Sequence, residues 1–364
     1  MHVTNLTVDQ FLSKKEAFVA KTKGDYLLGT RDVSMSAGAM SAMFESGLLG
    51  WVDAVRRDPQ GCMAKTDLDA IEAELERVMF LGSLNGSVAY APEGLVPVRG
   101  VVRDDGLGTI GRGNHFVEVQ VVDDVVDRQT AFQWGVRKGQ VAFMVHSGSR
   151  NVGRYVGGLW HDKARDAWPA GHKHPASKIF PITDRTALLE EYVRAEHTAG
   201  NYGFVNRALL AEMLRIRMRE VYGDVDAPLV YDLPHNLTFR ENGKWVSRKG
   251  ACPAHDGMPV IIPGSMGSTS YLCLGLGNDR FIRSASHGAG RASSRGDMGR
   301  FIKDEAHLKS LGLDGVECIT LREERRIEEA PAAYKPIGPV IQSQVEAGIV
   351  NVVASMRPIL TFKA

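Results

Sequence analysis

The chain has 364 residues with 44 basic and 43 acidic side chains, which gives a formal net charge of +1 when histidine is neutral. Its hydrophobic fraction of 44% and charged fraction of 24% are ordinary for a folded globular protein and exclude a disordered chain. The balanced charge neither requires nor excludes a nucleic-acid partner, because a basic patch can lie within a balanced total.

The cysteines and the N-terminal segment indicate where the protein works. The four cysteines are widely spaced and form no CxxC pair, which is typical of reduced thiols and not of a disulfide framework. The first 18 residues contain no apolar signal segment, and no run of about 18 apolar residues occurs in the chain. We therefore expect a cytoplasmic protein with no membrane partner.

Helical periodicity is clearest in residues 67–80, 186–194 and 207–221. Residues 322–329 (REERRIEE) predict a solvated helical or loop face, and a binding patch is the less favoured alternative. The chain contains no internal repeat and no linker long enough to separate two domains. We expect a single domain over residues 1–364.

Several short β-type runs meet a polar loop at a histidine. QVAFMV leads into His146, PLVYDLP into His235 and DRFIRSAS into His287, whereas His115 opens the run FVEVQVV. A fifth loop, PGSM at 263–266, follows the run VII. Strand ends on a rigid scaffold commonly present binding groups. We therefore expect an α+β fold whose central β core carries these loops in one pocket, with helices on the flanks.

His115, His146 and His235 form the first candidate site. Each one alone is more often a structural or surface histidine, but three at strand ends favour a shared role. Imidazole is a ligand for zinc, manganese, iron or nickel, and Asn114 or Asn236 could orient a ring or bind substrate. The spacing alone leaves a metal site and separate structural roles equally open.

Arg150, Arg291 and Arg295 form the second candidate site. A guanidinium binds phosphate with two parallel hydrogen bonds, and glycine- or serine-rich loops expose backbone N–H groups to anions. The alternative is that these arginines are simply solvated. The loops PGSMGS and GLGTIGRG lack the P-loop pattern, and the strand follows GLGTIGRG instead of preceding it, as a dinucleotide fingerprint requires.

His287 lies in SASHGAGRASSR among serine, alanine and glycine, which are too small to enclose an imidazole. A neutral imidazole can attack phosphorus and form a phosphoramidate, which divides one difficult transfer into two easier ones. Such an attack needs open space in line with the leaving group, and small neighbours leave that space.

Eight runs resemble, in order, the motifs of the RtcB RNA ligases: GTIGRGNHFVEVQ, MVHSGSRNVG, AGNYGFVNR, DLPHN, SRKGA, VIIPGSMG, SASHGAGR and AYKPI. The resemblance extends from about residue 106 to residue 364, and residues 1–105 form a divergent N-terminal part. It implies an RtcB-like α+β fold and an enzyme that joins an RNA 3′-phosphate or 2′,3′-cyclic phosphate to a 5′-hydroxyl. The implied cofactors are GTP and one or two Mn²⁺ ions, in tRNA splicing or RNA repair.

The resemblance also implies roles for individual residues. His287 is expected to carry GMP, Glu118 to accept from guanine N–H groups, and Lys363 to donate to the guanine O6. The implied metal ligands are Cys62, His115, His146 and His235. The implied nucleotide site comprises Asn114, His115, Phe116, Val117, Glu118, His235, Asn236, Pro263, Gly264, Ser265, Met266, Ser270, Gly288, Ala289, Gly290 and Lys363. The RNA phosphate is expected at Arg150, Asn206 and Arg207.

The N-terminal part departs from the family pattern. RDVSMSAG at 31–38 and DPQGCM at 58–63 stand where the family has PDVHxGKG-like and DxGCG runs. Ser34 and Ala37 replace a histidine and a lysine, and Asp58 precedes Cys62 by four residues instead of three, with Pro59 in the aspartate position. A two-metal site could thus be reduced to one, or Asp58 could reach in from a shifted loop.

Two other functions remain open from these residues. One is an RNA 3′-end-capping enzyme that keeps histidine guanylylation but uses a different acceptor. The other is a catalytically weak paralogue that binds RNA ends or GTP. Some family members require an archease protein as an activating partner.

Overall fold

The computed structural model describes residues 1–23, 32–182, 186–299, 311–312 and 316–364. The strands in chain order are β1 (His2–Thr7), β2 (Val33–Ser36), β3 (Val101–Asp104), β4 (Phe116–Val125), β5 (Gln140–His146), β6 (Thr238–Glu241), β7 (Lys244–Ser247), β8 (Ala251–Pro253), β9 (Pro259–Ile262), β10 (Ser270–Gly275), β11 (Ser284–Ser286), β12 (Cys318–Thr320) and β13 (Val350–Lys363). The helices are α1 (Val8–Ser13), α2 (Lys15–Lys23), α3 (Ala37–Arg57), α4 (Leu68–Glu72), α5 (Arg128–Gln133), α6 (Arg150–Asp166), α7 (Thr186–Tyr222), α8 (Arg295–Gly299), α9 (Glu323–Glu328) and α10 (Ile337–Glu346).

A seven-stranded sheet forms the centre, in the order β1-β5-β4-β13-β10-β9, with β12 paired to β13 beside this path. The pairings are antiparallel except for the parallel pair β12–β13. Successive side chains of a strand point to opposite faces, so β4 places Val117 and Val119 in one apolar core. Glu118 and Gln120 point to the other face. The α+β class expected from the sequence is confirmed.

A helical layer packs beside the sheet, where α3 lies against α7. Trp51 and Phe44 of α3 and Tyr202 of α7 are almost fully buried in this core, and the rings of Phe44 and Tyr202 stack 6.3 Å apart. The amide of Asn201 on α7 donates to the carbonyl oxygens of Phe44 and Leu84 at 3.0 and 2.9 Å. This buried amide ties the two helices and the intervening loop together.

The helix predicted over residues 67–80 is wrong beyond residue 72. Only α4 is α-helical there, and Phe80 has a positive φ of 57°, which an α-helix excludes. The chain turns because Glu74 pairs with the buried Arg215, and Val78 forms a β-bridge with Asp232. Tertiary contacts therefore overrule the local periodicity.

The helices predicted over 186–194 and 207–221 are parts of the single helix α7. Gly200 lies in the stretch between them and packs closely against its neighbours. A Cβ on Gly200 would come within 2.8 Å of Leu84 Cδ1 and 3.2 Å of Leu237 Cδ1. Residues 322–329, which were expected to form a solvated helical or loop face, contain the helix α9.

The run PLVYDLP was expected to be a strand, and it is not one. Leu229 forms a single bridge with His2, and Asp232 forms another with Val78. Two single bridges to different segments cannot extend into a ladder, so the segment before His235 stays irregular.

The N-terminal part shares the sheet and the core with the rest of the chain. β1 pairs with β5, and residues of β2, α3 and α7 belong to one apolar cluster. None of the helices in the described ranges is long and apolar enough to cross a membrane.

Candidate active site

Four histidines converge where strands of the sheet end. β4 and β5 pair with Phe116 opposite His146, so His115 lies beside the last residue of β5. His287 follows β11, a short strand paired to β8. His235 approaches from the irregular loop on the other side. The ring centroids are 5.9 Å apart for His115 and His146, 5.1 Å for His146 and His235, and 4.5 Å for His235 and His287.

The protonation state of these histidines follows from burial. Burial lowers the pKa of His115 to about 4 and that of His235 to about 3, with neighbouring arginine and histidine charges adding to the effect. Burial also holds the pKa of His146 well below its usual range, and repulsion from His235 is the next largest cause. All three rings are therefore neutral at physiological pH, the form in which imidazole binds a metal.

The distances between the ring nitrogens show whether a metal ion would fit between the histidines. Nε2 of His146 and Nε2 of His235 are 3.2 Å apart. Two nitrogens about 2.1 Å from one ion and roughly 90–110° apart would be about 3.0–3.4 Å from each other. Nδ1 of His115 and Nδ1 of His235 are buried without a hydrogen-bond partner among the described residues. As the side chains are oriented here, the described part of the chain has no group of three or more His, Cys, Asp or Glu that could hold an ion.

One ring nitrogen of His287 is hydrogen-bonded, and the other has a lone pair that can react. Its Nδ1 is 2.7 Å from the carbonyl oxygen of Gly250. A carbonyl oxygen only accepts, so Nδ1 carries the proton and Nε2 keeps its lone pair. Burial lowers the pKa of His287, which favours this neutral tautomer. Gly250 has φ +71°, and its lack of a side chain lets the ring approach this closely.

Two adjoining cavities open onto the histidines, where the sequence predicted a single pocket. The larger has a volume of about 800 Å³ and the smaller about 270 Å³. His146, Pro263 and His287 line both. His287 thus stands in the wall between the two spaces.

The predicted residues divide between these cavities. Those lining the larger cavity are His115, His146, Arg150, Arg207, His235, Asn236, Pro263 and His287. Those lining the smaller cavity are Asn114, Phe116, Glu118, His146, Pro263, Gly264, Ser265, Met266, His287, Gly288, Ala289, Gly290 and Lys363.

Arginines give the larger cavity its positive charge. Arg150 begins α6 and lies against the backbone of Gly111, where a Cβ would come within 1.8 Å of its Nη1. Its Nε donates to Thr109 Oγ1 at 2.9 Å. Arg207 donates through Nε to both oxygens of Asp232, at 2.7 and 3.0 Å, and its Nη2 has no partner among the described residues.

The smaller cavity contains a buried carboxyl. Glu118 accepts from Thr361 Oγ1 and from Gln120 Nε2, each at 2.7 Å. Burial raises the pKa of Glu118 to about 7, although these hydrogen bonds and the charge of Lys363 act in the opposite direction. Lys363 donates to the carbonyl oxygen of Gly113 at 3.2 Å, and burial lowers the pKa of its amine.

Glu329 is a member of the smaller cavity that sequence reasoning missed. It was expected on a solvated face, but only 1% of its side chain is exposed. Its carboxylate accepts from Arg295 at 2.9 Å and from the Tyr334 hydroxyl, and it lies 3.2 Å from Arg291 and 3.9 Å from Lys363. The expectation was wrong at this position because Glu329 follows α9, where the chain turns inward. The sequence signal that could have located Glu329 is the nearby motif AYKPI, because its Tyr334 hydrogen-bonds to this carboxylate.

Asn206 was expected to contact RNA phosphate, but it is buried and is not among the described residues that line either cavity. Its amide oxygen accepts from the backbone N–H groups of Gly108 and Thr109, at 2.7 and 3.2 Å. Its amide nitrogen lies 3.0 Å from both Ser147 Oγ and the carbonyl oxygen of Gly148. These contacts join two site loops to α7.

Three further predicted residues are not among the described residues that line either cavity: Val117, Ser270 and Cys62. Ser270 holds a cavity loop in place, because its Oγ accepts a hydrogen bond from the backbone N–H of Gly264 at 3.0 Å. Cys62 is exposed, and its Sγ accepts from Ser34 N at 3.2 Å. Asp58 accepts from Gln60 at the surface. Position 31 of the divergent run 31–38 lies outside the described residues.

The family model described as tRNA-splicing ligase RtcB matches residues 1–364, and the chain belongs to this family. It is 34% identical over 320 residues to the tRNA-splicing ligase RtcB of Pyrococcus horikoshii, covering 79% of this chain and 36% of that protein. It is 34% identical over 318 residues to the Thermococcus kodakarensis protein of the same name, covering 79% of this chain and 65% of that protein. The chain therefore spans about one third to two thirds of the length of these relatives.

Proposed function

We propose that the protein is a GTP- and Mn²⁺-dependent RNA ligase that joins RNA 3′-phosphate or 2′,3′-cyclic phosphate ends to 5′-hydroxyl ends. The observation that carries this proposal is the place of His287. Its free Nε2 lies in the wall between a small cavity with a buried carboxyl and a larger cavity with arginines. Membership of the tRNA-splicing ligase family supports tRNA splicing or RNA repair as the process.

In the first step, His287 Nε2 attacks the α-phosphorus of GTP. A P–N bond forms, the bond to the bridging oxygen breaks, and pyrophosphate leaves. The proton on Nδ1 stays hydrogen-bonded to the Gly250 carbonyl oxygen, which stabilises the positive charge that develops on the ring. Glu118 and Lys363 would recognise the guanine edge from the smaller cavity, as acceptor and donor.

In the second step, an oxygen of the RNA 3′-phosphate attacks the phosphorus of the bound GMP, and His287 is regenerated. The 5′-hydroxyl of the other RNA end then attacks the activated 3′-phosphorus, and GMP leaves as the new phosphodiester forms. Arg150 and the free Nη2 of Arg207 would bind the RNA phosphate in the larger cavity. Asn206 would position the loops around them.

A manganese ion would be held by His146 and His235, and His115 would join them as a third imidazole after a change in its side-chain orientation. The 3.2 Å separation of the two Nε2 atoms and the neutral state of the rings fit this role. When bound, the ion would neutralise phosphate charge and polarise the P–O bonds. We include one ion only, because Cys62 lies outside both cavities.

The decisive experiment is incubation of the protein with α-labelled GTP and Mn²⁺. We expect a protein adduct that is labile to acid and stable to base, as a phosphoramidate is, and that is absent in His287→Ala. The absence of an adduct with any divalent metal would overturn the proposal.

Ligation is then tested with an RNA that carries a 3′-phosphate and a 5′-hydroxyl, with and without an archease as activator. A joined product is expected. An adduct-forming protein that transfers GMP to the 3′-end but never joins the ends would be a 3′-end-capping enzyme instead.

A further inference from the structure

One face of α6 forms a wall of the larger cavity. Arg150, Arg154 and Gly157 all line this cavity, and they lie one helical turn apart along the helix. The wall therefore has Arg150 at the first turn of the helix and Arg154 with its Cα about 6 Å further along the helix axis. Gly157, which has no side chain, follows one turn later.

Arg154 has no counter-charge among the residues that the structure describes. It makes no ion pair or hydrogen bond with any described residue. The carboxylates that line the larger cavity are engaged elsewhere: Asp232 binds Arg207, and Glu196 accepts from the Tyr192 hydroxyl and from Thr238 N.

Arg165 on the same helix is a matched comparison for Arg154. It pairs with Asp162 at 2.8 Å and with Asp166 at 3.1 Å, and it does not line the cavity. Arg154 differs from Arg165 in two respects: it lines the cavity, and no described carboxylate compensates its charge.

Gly157 leaves room on the wall beyond Arg154. A Cβ at this position would meet no atom within 4 Å, so nothing in the described chain fills the space. Glycine destabilises a helix interior relative to alanine, and here it keeps the cavity surface flat where a chain could lie.

We propose that α6 is a track for the RNA strand that ends in the 3′-phosphate, with Arg154 binding the phosphodiester next to that end. The inference rests on the proposed function and refines its substrate. The terminal phosphate lies at Arg150 and the preceding phosphodiester at Arg154, because the Cα atoms of these residues are about 6 Å apart along the helix axis, close to one nucleotide step. The strand then passes over Gly157. The site consequently recognises at least a dinucleotide end.

Binding without GTP tests the track independently of catalysis. The ligands are uridine 3′-phosphate, which has only a terminal phosphate, and the dinucleotide UpUp, which adds one phosphodiester. By calorimetry we expect the wild-type protein to bind UpUp about tenfold more tightly, the effect of one charge-assisted hydrogen bond. In Arg154→Ala this advantage should disappear, whereas Arg165→Ala should keep it.

The salt dependence of binding is a second measurement on the same variants. For a single-stranded 3′-phosphorylated oligonucleotide, the slope of log K against log salt should fall by about 0.7 in Arg154→Ala, the value for one lost phosphate contact. The slope should be unchanged in Arg165→Ala.

The adjacent glycines provide a steric test. Gly157 and Gly158 both have open space around them, but only Gly157 lines the cavity. We expect Gly157→Phe to weaken binding of the oligonucleotide and Gly158→Phe to leave it unchanged. Thermal melts should show both variants folded, because phenylalanine favours a helix more than glycine does.

Equal UpUp advantages in the wild type and in Arg154→Ala would overturn the track, as would equal oligonucleotide binding by Gly157→Phe and the wild type. Failure of the proposed function looks different. In that case the wild type forms no GMP adduct at His287, whatever the binding experiments give.

Discussion

Single residues carry most of the proposed chemistry, and Glu118 is the one whose charge depends on pH. Its carboxyl is buried at the back of the smaller cavity with its pKa raised to about 7. Below this pH the protein holds the neutral acid, and above it the carboxylate. A guanine base donates two N–H groups from one edge, so it prefers the carboxylate.

We expect the affinity for guanosine to rise by about tenfold between pH 6 and pH 8 and to level off above, because binding needs deprotonated Glu118. Calorimetry with guanosine avoids the titration of GTP phosphates in this range. His115, His146 and His235 are already neutral there and add no slope. Glu118→Gln should bind weakly and without pH dependence. A flat profile for the wild type would contradict the role of Glu118.

Glu329 holds the cations of the smaller cavity in place. Its single buried carboxylate faces Arg291, Arg295 and Lys363, and their mutual repulsion would be unopposed without it. Removing one partner of a buried ion pair is costly because it leaves the other charge uncompensated.

We expect Glu329→Gln to lower the free energy of unfolding by about 3 kcal/mol in urea denaturation. Glu328→Gln is the matched control, since Glu328 makes only a partly exposed pair with Arg325 at 3.2 Å. This control should change stability by less than about 1 kcal/mol. Equal effects of the two substitutions would show that Glu329 is not the centre of the cation cluster.

Among the secondary-structure elements, α7 holds the loops of the site in position. Asn201 ties it to α3, and Asn206 ties it to the loops around Gly108 and Gly148. An asparagine in a helix interior is a poor helix former, but a buried amide with all its partners can join segments that apolar contacts could not orient.

We expect Asn206→Ala to lower the free energy of unfolding by about 2–4 kcal/mol, because backbone groups of the two loops lose their buried partner. Gln342→Ala on the exposed face of α10 removes only a surface amide bonded to Glu346 and should change stability by about 0.5 kcal/mol or less. Urea denaturation of both variants checks this. A loss of GMP-adduct formation at full stability would instead assign Asn206 to ligand binding.

The whole molecule determines which cysteines are reactive. The sheet and its flanking segments bury Cys252 and Cys273, and this burial raises the pKa of each thiol to about 12. Cys62 is exposed at the surface, and Cys318 is half-buried with its pKa raised to about 11.

We expect a thiol reagent to modify Cys62 rapidly in the native protein and all four cysteines after unfolding. The rate at Cys62 should be the same with and without Mn²⁺, because this thiol lies outside both cavities. Cys62→Ala identifies the fast phase. Protection of Cys62 by Mn²⁺ would show that it is a metal ligand and that the proposed single-ion site is incomplete.

The sequence by itself determined the α+β class, the four histidines of the site and the family, because these depend on local alternation and on contiguous motifs. It could not reveal Glu329 or Arg154, because one ends a charge-rich helix and the other lies among many arginines. It also misread the helix at 67–80 and the strand before His235, where contacts between distant segments overrule local preference. Only the tertiary structure decided that Asn206 and Cys62 lie outside the cavities and that His287 separates two spaces. Burial and partner distance are properties of the folded chain, and residues far apart in sequence set them.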